Sequence, residues 1–385
     1  MRLEADPVRR ALEAFVGVEF TEGNSVTRLR NGVEIFPPML RAVRLARERI
    51  DFVTFVYWTG DIARQMAEAL AERARAGVDV RVLLDAVGAA DMSPDLVEQM
   101  EASGVEVAWF RPVTRWKVWE IDHRTHRKIL VVDDQVAFTG GVGVAREWEG
   151  DARGPDEWRD SHFQVRGPAI DPLRSAFLSD WRDAGGSMVG DGEIPARPER
   201  AGDVPLGVVD ASAQIELNRA GRALEVMVAR AHTRVWVTTP YFNPAPRLTR
   251  FLAEAVERGV EVRIMIPGPH IDKRVSLVSA EDQAARLLDA GVWLHRFQPT
   301  MLHLKQVVVD HNATMFGSVN FNERSVFKDE EVGVVAIDPG LNDTLAGDFL
   351  EDLERCETMV DPLDLQRSWG EKAAGRLLRP FQSEL

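Results

Sequence analysis

The chain repeats itself, and this internal similarity constrains the fold more than any single motif. Residues 75–84 read RAGVDVRVLL, and residues 257–266 read ERGVEVRIMI. The same relation joins residues 103–110, SGVEVAWF, with residues 290–297, AGVWLHRF. In both matches the two segments lie about one domain length apart in the chain, which indicates a duplicated unit of domain size. We therefore predict two related lobes.

Each copy begins with the pattern of a buried strand followed by a helix. The strands are residues 51–57, DFVTFVY, and residues 234–242, RVWVTTPYF. After the first strand, apolar residues recur at helical spacing at Ile62, Met66 and Leu70, and another strand follows each helix. This alternation is typical of an α/β fold, so we predict a mixed β-sheet flanked by helices in each lobe.

A composition change marks the boundary between the two copies. Residues 185–206 are rich in glycine, proline and charged residues, which is typical of a linker that crosses the surface. We predict an N-terminal lobe of residues 1–186, a linker of residues 187–206 and a C-terminal lobe of residues 207–385.

One short motif, H-x-K followed by four residues and D, occurs once in each copy. Its members, taken together as the catalytic set, are His126, Lys128, Asp133, His303, Lys305 and Asp310. Residues i and i+2 of a strand share a face, so each imidazole stands beside its own lysine and both can reach one phosphate. Each aspartate follows an apolar run at the far end of the strand. We therefore expect the aspartates to hold a turn through backbone hydrogen bonds rather than to touch substrate.

The duplicated motif resembles the signature of the phospholipase D superfamily, in which a Gly-Ser/Gly-x-Asn turn follows each copy. Gly317, Ser318 and Asn320 form this turn in the second copy, and residues 239–242, TPYF, together with Glu331 are similar to bacterial cardiolipin synthases. The resemblance implies two phospholipase D-type lobes that form one pseudo-twofold, bilobal unit with a single active site.

The first copy departs from the second because its turn reads Gly140, Gly141, Val142, Gly143, so Gly141 and Gly143 replace the serine and the asparagine. Fewer side-chain donors for phosphate are expected there. Backbone N–H groups of a glycine-rich turn can take their place, since a concave run of such groups binds anions.

The resemblance also implies a mechanism. His126 attacks phosphorus to form a phosphohistidine, and His303 protonates the leaving oxygen, although the sequence leaves the opposite assignment open. Lys128, Lys305 and Asn320 are expected to hold the non-bridging phosphate oxygens, and Ser318 is expected either to bind phosphate or to support the site.

Two carboxylates are expected to orient the imidazoles. Glu331 is assigned to His303, and Asp160 to the first lobe. The two His–Lys pairs supply the cations, the nucleophile and the proton donor, so we expect no metal and no cofactor.

Charge and composition narrow the partners. Lys and Arg number 47 against 61 Asp and Glu, and the resulting net charge of −14 disfavours a nucleic acid as partner. The single cysteine, Cys356, fits a reducing compartment. The first thirty residues resemble neither a secretory signal nor a membrane anchor. We expect a cytoplasmic protein that contacts the inner face of the membrane peripherally and takes an anionic phospholipid as substrate.

The residues leave several functions open. Phosphatidyl transfer to an alcohol comes first, and a hydrolytic phospholipase D differs only in its use of water as acceptor. A nuclease or other phosphodiesterase with the same two histidines is disfavoured by the acidic charge. A lipid-binding protein without catalysis is disfavoured by the intact His–Lys pairs. The oligomeric state is left open.

Two further stretches combine aromatic and basic residues. Residues 107–121, VAWFRPVTRWKVWEI, fit a lipid headgroup interface or an ordinary loop over the site. Residues 366–381, QRSWGEKAAGRLLRPF, fit an amphipathic surface helix or a packed tail. His123, Tyr241 and Phe242 are candidates to line the cleft, and packing accounts for the aromatic pair equally well.

Overall fold

The computed structural model describes residues 6–112, 123–187, 198–211, 219–272, 284–322 and 329–359. The first half of the chain contains α1 (Pro7–Val16), β1 (Phe20–Arg30), α2 (Asn31–Leu45), β2 (Arg49–Thr54), α3 (Asp61–Arg75), β3 (Asp79–Asp85), α4 (Pro94–Ala102), β4 (Glu106–Phe110), β5 (Ile129–Val132), β6 (Val136–Gly140), a 3₁₀ turn (Arg146–Trp148), β7 (Ser161–Arg166) and α5 (Ile170–Asp183). The second half contains β8 (Val204–Ala211), α6 (Arg219–Arg230), β9 (Arg234–Thr238), β10 (Phe242–Asn243), α7 (Pro246–Glu257), β11 (Glu261–Pro267), β12 (Trp293–Phe297), β13 (Gln306–Val309), β14 (Ala313–Gly317), β15 (Phe321–Asn322), β16 (Glu331–Ile337), α8 (Pro339–Leu353) and β17 (Cys356–Met359).

Among these residues, 15 strands form one mixed sheet in the order β17-β12-β11-β9-β13-β14-β16-β8-β1-β7-β6-β5-β2-β3-β4. Its two halves have the same connectivity, since β1-β7-β6-β5-β2-β3-β4 matches β8-β16-β14-β13-β9-β11-β12. In each half, three parallel strands adjoin an antiparallel hairpin, β5–β6 or β13–β14. The predicted α/β fold of two similar lobes is confirmed.

The two lobes are joined through the sheet itself. Strands β1 and β8 pair antiparallel at the centre of the strand order. Strand β8 begins at Val204, inside the predicted linker of residues 187–206, because these residues already pair with β1. The division into lobes stays a prediction, and we propose that the second lobe begins with this strand.

Helices cover both faces of the sheet and create three clusters of buried apolar residues. One cluster lies under α2, α3 and α4 of the first lobe, where Ile62, Met66 and Leu70 are buried as their spacing predicts. A second lies under α1, α6 and α7. The third, with α5 and α8, contains side chains of both lobes. In it the rings of Phe163 and Phe316 stack with centroids 3.8 Å apart. Separating the lobes would expose this shared core to water.

Two predictions about surface segments fall largely outside the described residues. Residues 113–121 of the first aromatic and basic stretch and all of residues 366–381 lie there. Within the described ranges, no helix combines the length and the apolar character needed to cross a bilayer.

Candidate active site

Each H-x-K segment extends past its own strand and pairs with the opposite lobe. Just before β5, Thr125 forms a parallel bridge with Glu330, and the His126 N–H donates to the Glu330 carbonyl at 2.9 Å. The second copy mirrors this arrangement. Leu302 bridges to Arg159, and the His303 N–H donates to the Arg159 carbonyl at 2.8 Å. The two motifs therefore meet where the lobes exchange backbone hydrogen bonds.

This exchange places each imidazole against a carboxylate of the other lobe. Nδ1 of His126 lies 2.9 Å from Oε1 of Glu331, and Nδ1 of His303 lies 2.7 Å from Oδ2 of Asp160. The predicted pairing, Glu331 with His303 and Asp160 with the first lobe, is wrong. Each carboxylate directly follows the residue that bridges to the opposite motif, so it faces that motif and not its own.

The two motif lysines are buried beside their histidines. Lys128 Nζ donates to the His126 carbonyl at 2.8 Å, and Lys305 Nζ donates to the His303 carbonyl at 2.5 Å. Burial, assisted by the charge of Lys305 and opposed by that of Glu331, lowers the pKa of Lys128 to about 7. Burial lowers the pKa of Lys305 to about 8, against the attraction of Asp160 and Glu331. Two poorly solvated ammonium groups form a site that favours an anion.

His303 is neutral in this environment. Burial and the Lys305 ammonium lower the pKa of His303 to about 4, although Asp160 opposes the shift. Burial alone would raise the pKa of Asp160, but His303, Lys305 and the Trp148 indole lower it to about 2. The ionised carboxylate only accepts hydrogen bonds, so we assign the ring proton to Nδ1 of His303. This leaves the lone pair on Nε2, which lies 3.2 Å from Lys305 Nζ.

Packing explains why the turn after the first motif departs from the superfamily pattern. A Cβ on Gly141 would lie 2.2 Å from Oδ1 of Asp160, so the carboxylate occupies the space of a side chain. A Cβ on Gly143 would lie 2.7 Å from the Cβ of Val56. The Gly141 N–H donates to the Ser161 carbonyl at 3.2 Å and is therefore already engaged within the protein.

The second turn carries the side chains that the first one lacks. The Ser318 hydroxyl accepts from the Val332 N–H at 3.0 Å and donates to the Val332 carbonyl at 3.3 Å. It therefore supports the backbone next to Glu331, which is one of the two roles expected of it, and its contact with phosphate stays a prediction. Asn320 is buried in the same turn, with 3% of its surface exposed.

The motif aspartates lie at the far ends of β5 and β13. Asp133 accepts three backbone N–H groups of residues 47–49, each at 2.9 Å. Asp310 accepts those of residues 232–234 at 2.7 to 3.2 Å. Four strand residues lie between each lysine and its aspartate, which places the two about 16 Å apart along the strand. These are the backbone hydrogen bonds expected of aspartates that hold a turn, and we propose that both act structurally, outside the catalytic set.

Buried charged residues around the segment that carries His126 were not predicted from the sequence. Arg127 projects opposite to His126 and Lys128, as strand alternation would have indicated, and its Nη1 lies 2.6 Å from Asp180. Arg124 Nη2 lies 2.9 Å from Asp85, and all these side chains are buried. Burial raises the pKa of Asp180 to about 7, with Arg127 opposing the shift. These ion pairs fix the segment that carries His126.

Aromatic residues surround both imidazoles. Phe55 lies edge-on to His126 with ring centroids 5.0 Å apart. Trp148 and Trp158 lie 5.2 and 5.3 Å from His303, and Tyr241 lies at 6.4 Å. The predicted cleft residue Tyr241 is therefore near the site, whereas Phe242 is buried in the apolar core. In the part of the chain that the structure describes, no group of three or more His, Cys, Asp or Glu side chains is arranged to hold a metal ion.

Comparison with known proteins places this geometry in a family. A family profile described as "Cardiolipin synthase, PLD-like domain" matches residues 39–147 and 224–353, more than half of the chain. Cardiolipin synthase A of Pseudomonas aeruginosa is 34% identical over 337 residues, which cover 86% of this chain and 68% of that protein. A cardiolipin synthase of Alkalihalophilus pseudofirmus is 29% identical over 359 residues, or 92% and 71% of the two chains.

Solved structures share the architecture. The phosphatidylserine synthase of Haemophilus influenzae Rd KW20 matches with a TM-score of 0.73 over 98% of this chain and 97% of that one, at 16% identity. This likeness concerns the fold alone. Each range matched by the family profile contains one H-x-K-x4-D motif, and the chain therefore belongs to the cardiolipin synthase family of phospholipase D-like proteins.

Proposed function

We propose that this protein is a phosphatidyltransferase that moves a phosphatidyl group from phosphatidylglycerol to an alcohol. The names of its relatives support the reaction, and one observation supports the site. Each motif imidazole is bound by a buried carboxylate of the opposite lobe, beside a buried lysine. Such a carboxylate fixes the tautomer of a histidine and stabilises its charged form, as in other acyl and phosphoryl transfer sites.

The reaction proceeds in two displacements. One histidine attacks phosphorus through Nε2, the P–O bond to the leaving alcohol breaks, and the other histidine gives its proton to the departing oxygen. In the second step that histidine takes the proton of the incoming alcohol, whose oxygen displaces the imidazole from phosphorus. Lys128, Lys305 and Asn320 bind the non-bridging oxygens throughout.

The assignment of the two roles rests on different arguments. Family resemblance gives the attack to His126. The pKa of about 4 makes His303 neutral before substrate binds, which is the form that attacks. A phosphodiester between the lysines adds a negative charge that raises the pKa of His303, so this imidazole gains a proton more readily in the complex. We propose that His126 is the nucleophile, and labelling of the two histidine variants decides between it and His303.

The substrate is a lipid, and we further propose that the protein meets it at a membrane surface by peripheral contact. The acceptor decides between two neighbouring reactions. A second phosphatidylglycerol yields cardiolipin and glycerol, whereas water yields phosphatidic acid by hydrolysis. Both use the same groups, so product analysis separates them.

The test incubates purified protein with phosphatidylglycerol vesicles, with and without ethanol, and identifies the lipid products by mass spectrometry. His126→Asn and His303→Asn are compared with His311→Asn, which changes an exposed histidine beyond the far end of β13. We expect cardiolipin, and phosphatidylethanol when ethanol is present, from the wild type and the control but from neither motif variant. Phosphatidic acid as the single product means that water is the acceptor. Unchanged lipid, together with cleavage of DNA in a parallel incubation, means that the protein is a nuclease.

The same variants test the nucleophile. Alkaline denaturing quench of a reaction with phospholipid radiolabelled in its phosphatidyl group retains a base-stable, acid-labile label on the protein if a phosphohistidine accumulates. Label that persists in His303→Asn but not in His126→Asn assigns the attack to His126. The reverse pattern assigns it to His303.

A further inference from the structure

The carboxylate that binds His303 has a second donor that belongs to neither motif. The indole Nε1–H of Trp148 donates to Oδ2 of Asp160 at 2.9 Å. The same oxygen lies 2.7 Å from Nδ1 of His303, and the other oxygen accepts the Ser161 N–H at 2.8 Å. The carboxylate cannot rotate without losing all three bonds. Its orientation, and through it that of the imidazole, depends on these donors.

Trp148 itself is held in place from several sides. It ends the 3₁₀ turn that follows the glycine-rich turn of the first motif, and only 1% of its surface is exposed. Its ring packs against Trp158 with centroids 4.5 Å apart and lies edge-on to His303. A Cβ on Gly32 would lie 1.8 Å from the Trp148 carbonyl, so the start of α2 packs directly on this backbone. The indole is therefore a fixed donor.

We propose that Trp148 is a positioning residue for His303 and acts through Asp160. The indole N–H keeps one carboxylate oxygen aimed at the imidazole and withdraws part of its negative charge. The effect on turnover rests on the proposed phosphatidyl transfer, whereas the effect on the ring itself does not. Of the charged groups around His303, Asp160, Lys305 and Lys128 act on its protonation.

The chain offers a matched control in the same aromatic group. Trp58 also donates its indole N–H, but to the carbonyl of Gly88 at 2.8 Å, and its ring lies 6.2 Å from that of Trp148. Trp148→Phe and Trp58→Phe therefore remove the same group and leave a similar ring. Only the first removes a donor from Asp160.

The experiment follows the histidine ring by NMR. Histidine-labelled protein is titrated with pH, and the signal missing in His303→Asn identifies His303 among the eight histidines. We expect Trp148→Phe to raise the pKa of His303 by on the order of one unit, because the carboxylate regains negative charge. We expect turnover to fall about 10-fold, as for a lost hydrogen bond to a charged group. Trp58→Phe should change neither quantity.

A double-mutant cycle separates positioning from packing. If Trp148 acts through Asp160, Trp148→Phe has no further effect on the His303 titration in an Asp160→Asn background. Equal effects of the two tryptophan variants, or an undiminished effect of Trp148→Phe in that background, overturn the proposal. If the pKa of His303 shifts as expected but neither the wild type nor any variant transfers a phosphatidyl group, the positioning role stands and the proposed function fails. Thermal unfolding of each variant identifies any loss of fold.

Discussion

Gly141 offers a direct test of the cross-lobe carboxylates, because one methyl group placed there meets Asp160. The added Cβ would lie 2.2 Å from Oδ1. The carboxylate must move by about 1 Å to restore van der Waals contact. It is held by His303, Trp148 and the Ser161 N–H, so this movement breaks or stretches all three bonds.

The magnitude follows from this displacement. A misplacement of about 1 Å in a catalytic constellation costs roughly 100-fold in rate, so we expect Gly141→Ala to lower the turnover of phosphatidyl transfer by about that factor. Overpacking and the weakened hydrogen bonds should lower the free energy of unfolding by about 1 to 3 kcal/mol. The affected histidine should be His303, which belongs to the other lobe, and not His126.

The assay measures turnover on phosphatidylglycerol vesicles together with thermal unfolding and the NMR titration of the histidines. Gly154→Ala is the control, because its Cβ would meet nothing within 4 Å and its backbone lies outside the left-handed region. Gly141→Ala turnover within twofold of the Gly154→Ala value would refute the reasoning. So would a perturbed His126 beside an unchanged His303.

Two more predictions follow from the lysines and the aspartates. The pKa values of Lys128 and Lys305 are lowered to about 7 and 8, so both lysines lose their charge as the pH rises through this range. The affinity of the protein for tungstate, used as an anion in place of phosphate, should therefore fall at least 10-fold between pH 6 and pH 9. Equal affinities at the two pH values, measured by calorimetry, would contradict this. Asp310→Asn and Asp133→Asn should each lower the free energy of unfolding by about 1.5 to 3 kcal/mol, because each replaces a carboxylate that accepts three N–H groups. Turnover per folded molecule should stay unchanged. A large loss of turnover with unchanged unfolding in denaturant would return these residues to the catalytic set.

Much of this arrangement could be predicted because it is local. The repeat indicates two lobes, and the two-residue spacing of His126 and Lys128 places both on one face of a strand end. The apolar run between Lys305 and Asp310 separates the aspartate from the site. The last two inferences depend on the periodicity of a single strand, and the first needs only a comparison of the sequence with itself.

The pairing of carboxylates with histidines could not be predicted in the same way. Asp160 and Glu331 occupy equivalent positions at the starts of β7 and β16, and the sequence alone suggests that each serves one lobe. Their partners are decided by two parallel bridges between the lobes, which no local pattern encodes. The space beside Gly141, which the Asp160 carboxylate fills, is a contact within the first lobe and does not indicate a partner in the second.

This exchange has a consequence for how the duplicated site works. In a simple duplication each lobe would carry a histidine, a lysine and a carboxylate that function together. Here the orienting group of His126 is Glu331, and that of His303 is Asp160, so neither lobe alone holds a complete imidazole–carboxylate pair. The shared core, in which Phe163 stacks on Phe316, holds the lobes at one separation. The geometry of both pairs therefore depends on packing between the lobes. A substitution in that core that leaves each lobe folded should still displace both histidines from their carboxylates together.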